Sequence, residues 1–190
     1  MHQFVKLSLW SFAIFFIAQL LYALTYANIF ENKSLTDVAN ISVSLIGKTI
    51  TLTTITMSAF NKFAWKWKLF QYIHDVPVLK GTYEGIISST YDGVERHGKI
   101  FITQTFLNIS IRLATNESQS RSITSYLDLN EGFCRLIYTY QNEPNAEIQN
   151  RSPIHYGTTI LNIYDTEILE GNYFTGRKTT GSMRLYATSK

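Results

Sequence analysis

A chain of 190 residues with 45% hydrophobic and 16% charged side chains is too apolar to stay disordered, and it suits one domain plus an appendage. Its formal net charge of +3 is a mild basic bias, short of the dense patch that grips a DNA or RNA duplex. The single cysteine, Cys134, excludes an intrachain disulfide framework and fits a reducing compartment, where it reads as a small buried apolar residue.

After a short N-terminal segment, 1–6, the run "LSLWSFAIFFIAQLLYALTYANIF" (7–30) contains no formally charged side chain. At about 1.5 Å per residue it more than crosses a hydrocarbon core of about 30 Å. A cleaved signal peptide is the rival reading, with Thr25-Tyr26-Ala27 as a faint cleavage site. Signal h-regions are only about 7–15 residues long, and no polar c-region follows, so the run reads as a retained span.

Beyond a connector, 31–37, residues 38–61 carry one charge, Lys48, near the middle. Two readings stand. As a second span, its Ser and Thr hydroxyls bond back to their own helix and its lysine costs roughly 2.5–3.5 kcal/mol. As a β-strand, "TITLT" alternates and is rich in β-branched residues. Lys6 precedes the two runs and Lys62, Lys66 and Lys68 follow them, with Glu31, Lys33 and Asp37 between. This pattern places both termini in the cytoplasm. In the juxtamembrane linker, 62–78, Trp65 and Trp67 stand among those lysines, the mixture expected at a lipid headgroup boundary. The whole reads as a two-span hairpin anchor carrying a cytoplasmic domain, 79–190.

Past Pro77 no helical period persists. Alternating runs follow at 79–89, 98–106, 107–114, 119–129, 133–142, 155–164, 168–176 and 181–188, separated by turn residues. In the clearest, Leu107, Ile109, Ile111 and Leu113 share one face, and Asn108, Ser110 and Arg112 the other. Runs so closely spaced leave no room for long crossovers, so an all-β antiparallel meander is expected. Closing it into an eight-stranded, lipocalin-like β-barrel removes the exposed edges and leaves space for one small ligand. A two-sheet sandwich is the alternative.

In a meander the odd-to-even connections, 90–97, 115–118, 143–154 and 177–180, share one end, away from the membrane. That mouth is expected to be rimmed by Arg96, His97, Glu117, Ser118, Asn142, Arg151, His155, Arg177 and Lys178. Period-two parity carries the inward faces up to it. Cys134 and Leu136 bring Tyr138 and Tyr140 inward, Gly157 and Leu161 bring His155, and Leu169 and Gly171 bring Tyr173, Thr175 and Arg177. Such a set suits a planar, anionic ligand, since rings stack and a guanidinium forks onto phosphate. The plainer reading is that Tyr and Thr are good strand formers and a rim arginine is solvated.

The stretch "EGNYFTGRKTTGSMRL" (170–185) has the look of a phosphate-binding loop. However, Gly181 is followed by Ser182 and Met183, so the lysine required after the second glycine is missing. The alternation beyond it is that of a strand, and the stretch reads as a hairpin turn. No His-Glu-x-x-His, Cys-x-x-Cys or Gly-x-Ser-x-Gly spacing occurs, and Glu84, Asp92, Glu95, Glu143 and Glu170 lie on different runs. The chain therefore reads as a binding protein rather than an enzyme, with no metal and no cofactor.

The stretches "LKGTYEG" (79–85), "ITQTFLNISIRLATNESQSRS" (102–122), "YTYQNEP" (138–144), "HYGTTIL" (155–161) and "LEGNYFTGRKTTGSMRL" (169–185) carry a resemblance. With the two N-terminal spans, they are similar to the bacterial SMODS-associating two-transmembrane, β-strand-rich effector family. These are membrane effectors of cyclic-oligonucleotide-based anti-phage signalling (CBASS). "GTYEG" also resembles the Gly-x-Trp opening of lipocalin barrels, with Tyr83 in the aromatic place.

The resemblance spans nearly the whole chain and implies that 38–61 is a second transmembrane helix. It further implies a barrel that receives a cyclic dinucleotide, a homo-oligomer on activation, and disruption of inner-membrane lipid that ends in abortive infection. The candidate ligand-binding residues are Tyr138, Tyr140, His155, Tyr173, Thr175 and Arg177, together with Tyr83, Ser120, Arg121 and Ser122 from the shared stretches. The alternative is a membrane-tethered lipocalin-like protein for an apolar ligand, which requires a greasy cavity.

Overall fold

The computed structural model describes residues 2–26, 34–130 and 132–188. They form two compact units that part between Phe70 and Gln71. In the first, helices α1 (His2–Tyr26) and α2 (Leu35–Lys62) are both long and apolar enough to cross a membrane. α1 begins ahead of the expected span, while residues 27–30 of that span and 31–33 of the connector lie outside the described residues.

Residues 38–61 are helical throughout, which removes the strand reading. α2 starts inside the expected connector because Ser34 and Asp37 cap it reciprocally. Ser34 Oγ accepts from the Asp37 amide at 3.2 Å, and Asp37 Oδ2 accepts from the Ser34 amide at 3.1 Å. Along the helix, Ser42, Thr49, Thr51 and Thr54 donate to carbonyls four residues back at 2.8–2.9 Å. This is how a hydroxyl-rich segment satisfies itself without water.

The second unit is a closed antiparallel barrel of β1 (Thr82–Ser89), β2 (Glu95–Gln104), β3 (Ile109–Thr115), β4 (Ser118–Asp128), β5 (Arg135–Pro144), β6 (His155–Ile163), β7 (Ile168–Thr175) and β8 (Thr180–Ala187). Each strand pairs with the next, and the ladder from Tyr83↔Ala187 to Ser89↔Gly181 closes β1 onto β8, which rules out the sandwich. β1 begins at Thr82 rather than 79 because the Leu79 amide donates instead to Gln104 Oε1, at 2.9 Å. β2 begins at Glu95 rather than 98 because its ladder with β1 runs on to Ser88↔Glu95.

The end where the chain enters is sealed. Tyr83, Ile100, Ile111, Leu136, Leu161, Leu169 and Leu185 fill it, all essentially without solvent contact. Burial of each aliphatic side chain among them contributes about 1.5–3 kcal/mol. The Tyr83 hydroxyl donates to the Thr166 carbonyl at 2.6 Å and accepts from the Lys80 amide at 3.0 Å. Burial is the main cause pushing its pKa up to about 12.

Thr166, in the β6–β7 turn, has φ 66°, a left-handed conformation that a β-branched residue strongly disfavours. Thr166→Gly is therefore expected to stabilise the barrel by about 1 kcal/mol, read as a higher unfolding midpoint of the detergent-solubilised chain. An unchanged or lower midpoint would contradict this.

One seam is unusual. β3 and β4 pair directly only over Arg112↔Arg121, Leu113↔Ser120 and Ala114↔Gln119. Beyond that point the β4–β5 register jumps between Ser122 and Thr124, leaving Ile123 as the extra residue of a bulge that bends β4. Serine side chains complete the seam there. Ser122 Oγ accepts from the Ile111 amide at 3.0 Å, and Ser125 Oγ donates to the Ile109 carbonyl.

Candidate functional site

The odd-to-even connections share the other end, and there the barrel is open. Its interior is a cavity that opens to solvent through the mouth. Ile87, Leu113, Thr159 and Met183 form the floor, and Ser120, Tyr140, Asn142, His155, Tyr173, Thr175 and Arg177 the wall. Asp92, Arg96, Glu117, Arg151 and Ser152 stand at the rim.

The two wall tyrosines owe their places to glycines. Tyr140 faces Gly157 across the β5–β6 ladder, and Tyr173 faces Gly181 across β7–β8. A methyl group on either glycine would overlap the opposite ring, and also the carbonyl of Phe174 or Ser88. Each ring therefore rests directly on backbone.

The rim is held by an ionic chain joining three connections. Arg96 donates through Nε to Glu117 Oε2 at 2.9 Å, and through its two terminal nitrogens to Asp92 Oδ1 and Oδ2 at 3.1 and 2.5 Å. Arg151 reaches Glu117 Oε1 at 3.0 Å. The hydrogen bond from Arg96 is the main reason that the Asp92 carboxyl falls from 3.8 to about 2. Burial alone would raise Glu117, yet hydrogen bonds and charge from Arg96 and Arg151 hold it below the ordinary carboxylate range.

A depressed carboxyl stabilises the fold fully above its unfolded value, and that contribution fades as pH falls through its folded value. The Asp92–Arg96 pair is thus present above about pH 4 and lost towards pH 2. Asp92→Asn should give a shallower decline of the unfolding midpoint across that window. A decline as steep as that of the unaltered chain would count against the pair.

Arg177 is different. Its guanidinium donates to Ser152 Oγ at 3.0 Å and lies 5.9 Å above the Tyr91 ring, while its Nε is buried with no hydrogen-bond partner. Among the described residues no carboxylate lies within ion-pair distance of it. Nearby, His155 Nδ1–H donates to the Pro153 carbonyl at 3.0 Å. Burial chiefly, and then the charge of Arg177, lower the His155 pKa, so the neutral ring offers Nε2 as an acceptor.

Of the candidate residues, Ser120, Tyr140, His155, Tyr173, Thr175 and Arg177 meet in this cavity. The other four do not. Tyr83 belongs to the sealed end. Tyr138 points inward but lies one layer deeper than Tyr140, opposite Thr159 and almost wholly buried. The Ser122 hydroxyl is used in the β3–β4 seam. Arg121 projects outward into solvent, its neighbours in the ladders being Arg112 and Gln141.

At the expected rim, His97 and Lys178 do not line the cavity. The 176–181 stretch is a hairpin turn closed by the Lys178 amide on the Thr175 carbonyl at 3.1 Å, and its left-handed residue is Lys178, φ 63°, rather than a glycine. Sequence reasoning missed Tyr91, Asp92 and Ser152 as cavity residues. Tyr91-Asp92-Gly93 is a turn signal, which marks the place but not the salt bridge to Arg96.

Residues 74–186 match the family model described as "Cap15, cyclic dinucleotide receptor domain". Over 145 residues the chain is 37% identical to CD-NTase-associated protein 15 of Staphylococcus schleiferi, an alignment covering 75% of this chain and 79% of that protein.

Proposed function

The chain belongs to the Cap15 cyclic dinucleotide receptor family, and on that premise we propose that its barrel receives a cyclic dinucleotide while its two apolar helices anchor it in the bacterial inner membrane. One observation carries the reading: the barrel is only half filled. Its open half is walled by two glycine-backed tyrosines and an arginine that no carboxylate among the described residues neutralises.

A cyclic dinucleotide presents two flat bases and two phosphates. Stacking of a base on an aromatic ring contributes about 1–3 kcal/mol, and a guanidinium takes phosphate through paired hydrogen bonds. Ser120, Thr175, Asn142 and His155 of the wall suit such a polar guest better than an apolar one.

In this reading both termini and the barrel are cytoplasmic, no cofactor takes part, and ligand binding drives assembly of a homo-oligomer that disrupts the membrane lipid. Assembly follows only if the ligand binds the associated state more tightly than the resting one. The chain then acts as a CBASS effector that ends the infected cell.

The test is calorimetric titration of the detergent-solubilised chain with a panel of 3′–5′ and 2′–5′ linked cyclic dinucleotides. The same ligands are then added to chain-bearing vesicles loaded with a dye, with size followed by light scattering. No binding across the panel overturns the receptor reading; binding without growth in size or dye release overturns the effector step.

A further inference from the structure

The three arginines of the cavity's wall and rim are not equivalent. Arg96 has four of its five N–H donors committed inside the protein: one to Glu117, two to the Asp92 carboxylate and one to the Val94 carbonyl. It is a clamp with little left to offer. Arg177 has no carboxylate partner among the described residues and one unpartnered buried nitrogen. Arg151 lies between these extremes, half exposed and held to Glu117 by one ion pair.

Arg151 also sits next to Ser152, whose hydroxyl accepts from Arg177. The two available guanidiniums thus converge on one segment. That segment is tied down independently of Arg151, since the Asn145 amide and side chain donate to the Glu117 and Asn116 carbonyls, both at 2.9 Å.

We infer that Glu117 is an internal competitor for the ligand's second phosphate: it holds Arg151 in the resting barrel and yields it when a molecule bearing two phosphates enters with the first on Arg177. This rests on the receptor reading above. The exchange leaves no orphaned charge, because Glu117 keeps its bond to Arg96 after Arg151 departs. A ligand with a single phosphate satisfies Arg177 but has nothing to offer Arg151. Glu117 thereby favours dinucleotides over mononucleotides.

The test uses the full detergent-solubilised chain. The probes are cyclic di-AMP, cyclic di-GMP and cyclic GMP–AMP, against the single-phosphate 3′,5′-cyclic AMP and GMP. Glu117→Gln, which still accepts a hydrogen bond from Arg96, should bind the dinucleotide about three- to tenfold more tightly. The single-phosphate probes should gain less than that. Arg151→Ala, at an exposed position, should weaken dinucleotide binding by a similar factor, and adding Glu117→Gln to it should restore nothing.

Equal or weaker binding by Glu117→Gln would make Glu117 an orienting group for the arginines and overturn the inference. So would a gain that persists in the double variant. If the unaltered chain binds none of the dinucleotides, it is the receptor reading that fails; binding by the unaltered chain without the Glu117 effect removes this inference alone.

Discussion

Arg177→Ala is expected to weaken cyclic dinucleotide binding by about 10- to 100-fold, the loss that follows when a charged hydrogen-bonding group of about 1.5–3 kcal/mol is removed. Arg177 has no carboxylate partner among the described residues, so its charge is available where those of Arg96 and Arg151 are ion-paired in the resting barrel. Arg177→Lys keeps the charge but loses the fork and should fall between. Among the described residues the guanidinium donates one hydrogen bond, to Ser152 Oγ, so the unfolding midpoint of Arg177→Ala should barely move. Calorimetry and a thermal melt on the same sample decide the matter. Undiminished affinity would remove Arg177 from the site, and a collapsed midpoint would make it structural.

Leu161→Ala should show the reverse pattern. Leu161 has no solvent contact, pairs with Leu136 and Gly171 in its two ladders, and lies beyond Thr159 in the sealed half. Its truncation leaves a void among close-packed aliphatics and should cost about 2–5 kcal/mol of stability. Below the new midpoint, affinity for the ligand should be unchanged, since Leu161 does not line the cavity. A variant that melts like the unaltered chain would mean that the sealed half is not the structural core, and a fold that fails to accumulate would be read from the milder Leu161→Val. Together the two substitutions separate the half of the barrel that holds the fold from the half proposed to hold the ligand.

The barrel was legible because its strands obey a period of two with little interruption. The parity running through Leu136, Tyr138 and Tyr140 is what the β5–β6 ladder displays. Parity states which side of the sheet a residue faces, not how deep it lies, so Tyr138 and Tyr140 looked alike although one layer separates cavity from core. Adjacent residues must face opposite sides of a strand, so Arg121 could not share the interior with Ser120 and Ser122. The bulge at Ile123 then keeps Ser125 and Leu127 inward beyond the break. The Asp92–Arg96–Glu117–Arg151 chain was illegible for another reason. Asp92 and Arg96 are a local pair four residues apart, but Glu117 and Arg151 come from two other connections, and pairing across a closed ring depends on register and loop shape that no local spacing records.

The glycines beneath Tyr140 and Tyr173 bear on entropy as well as space. A ring seated on backbone has lost its rotameric choice before any guest arrives, so ordering these two side chains is charged to folding rather than to binding. The same seating makes positions 140 and 157, and likewise 173 and 181, inseparable under substitution: bulk added at one must be removed from the other, or the strands themselves must part.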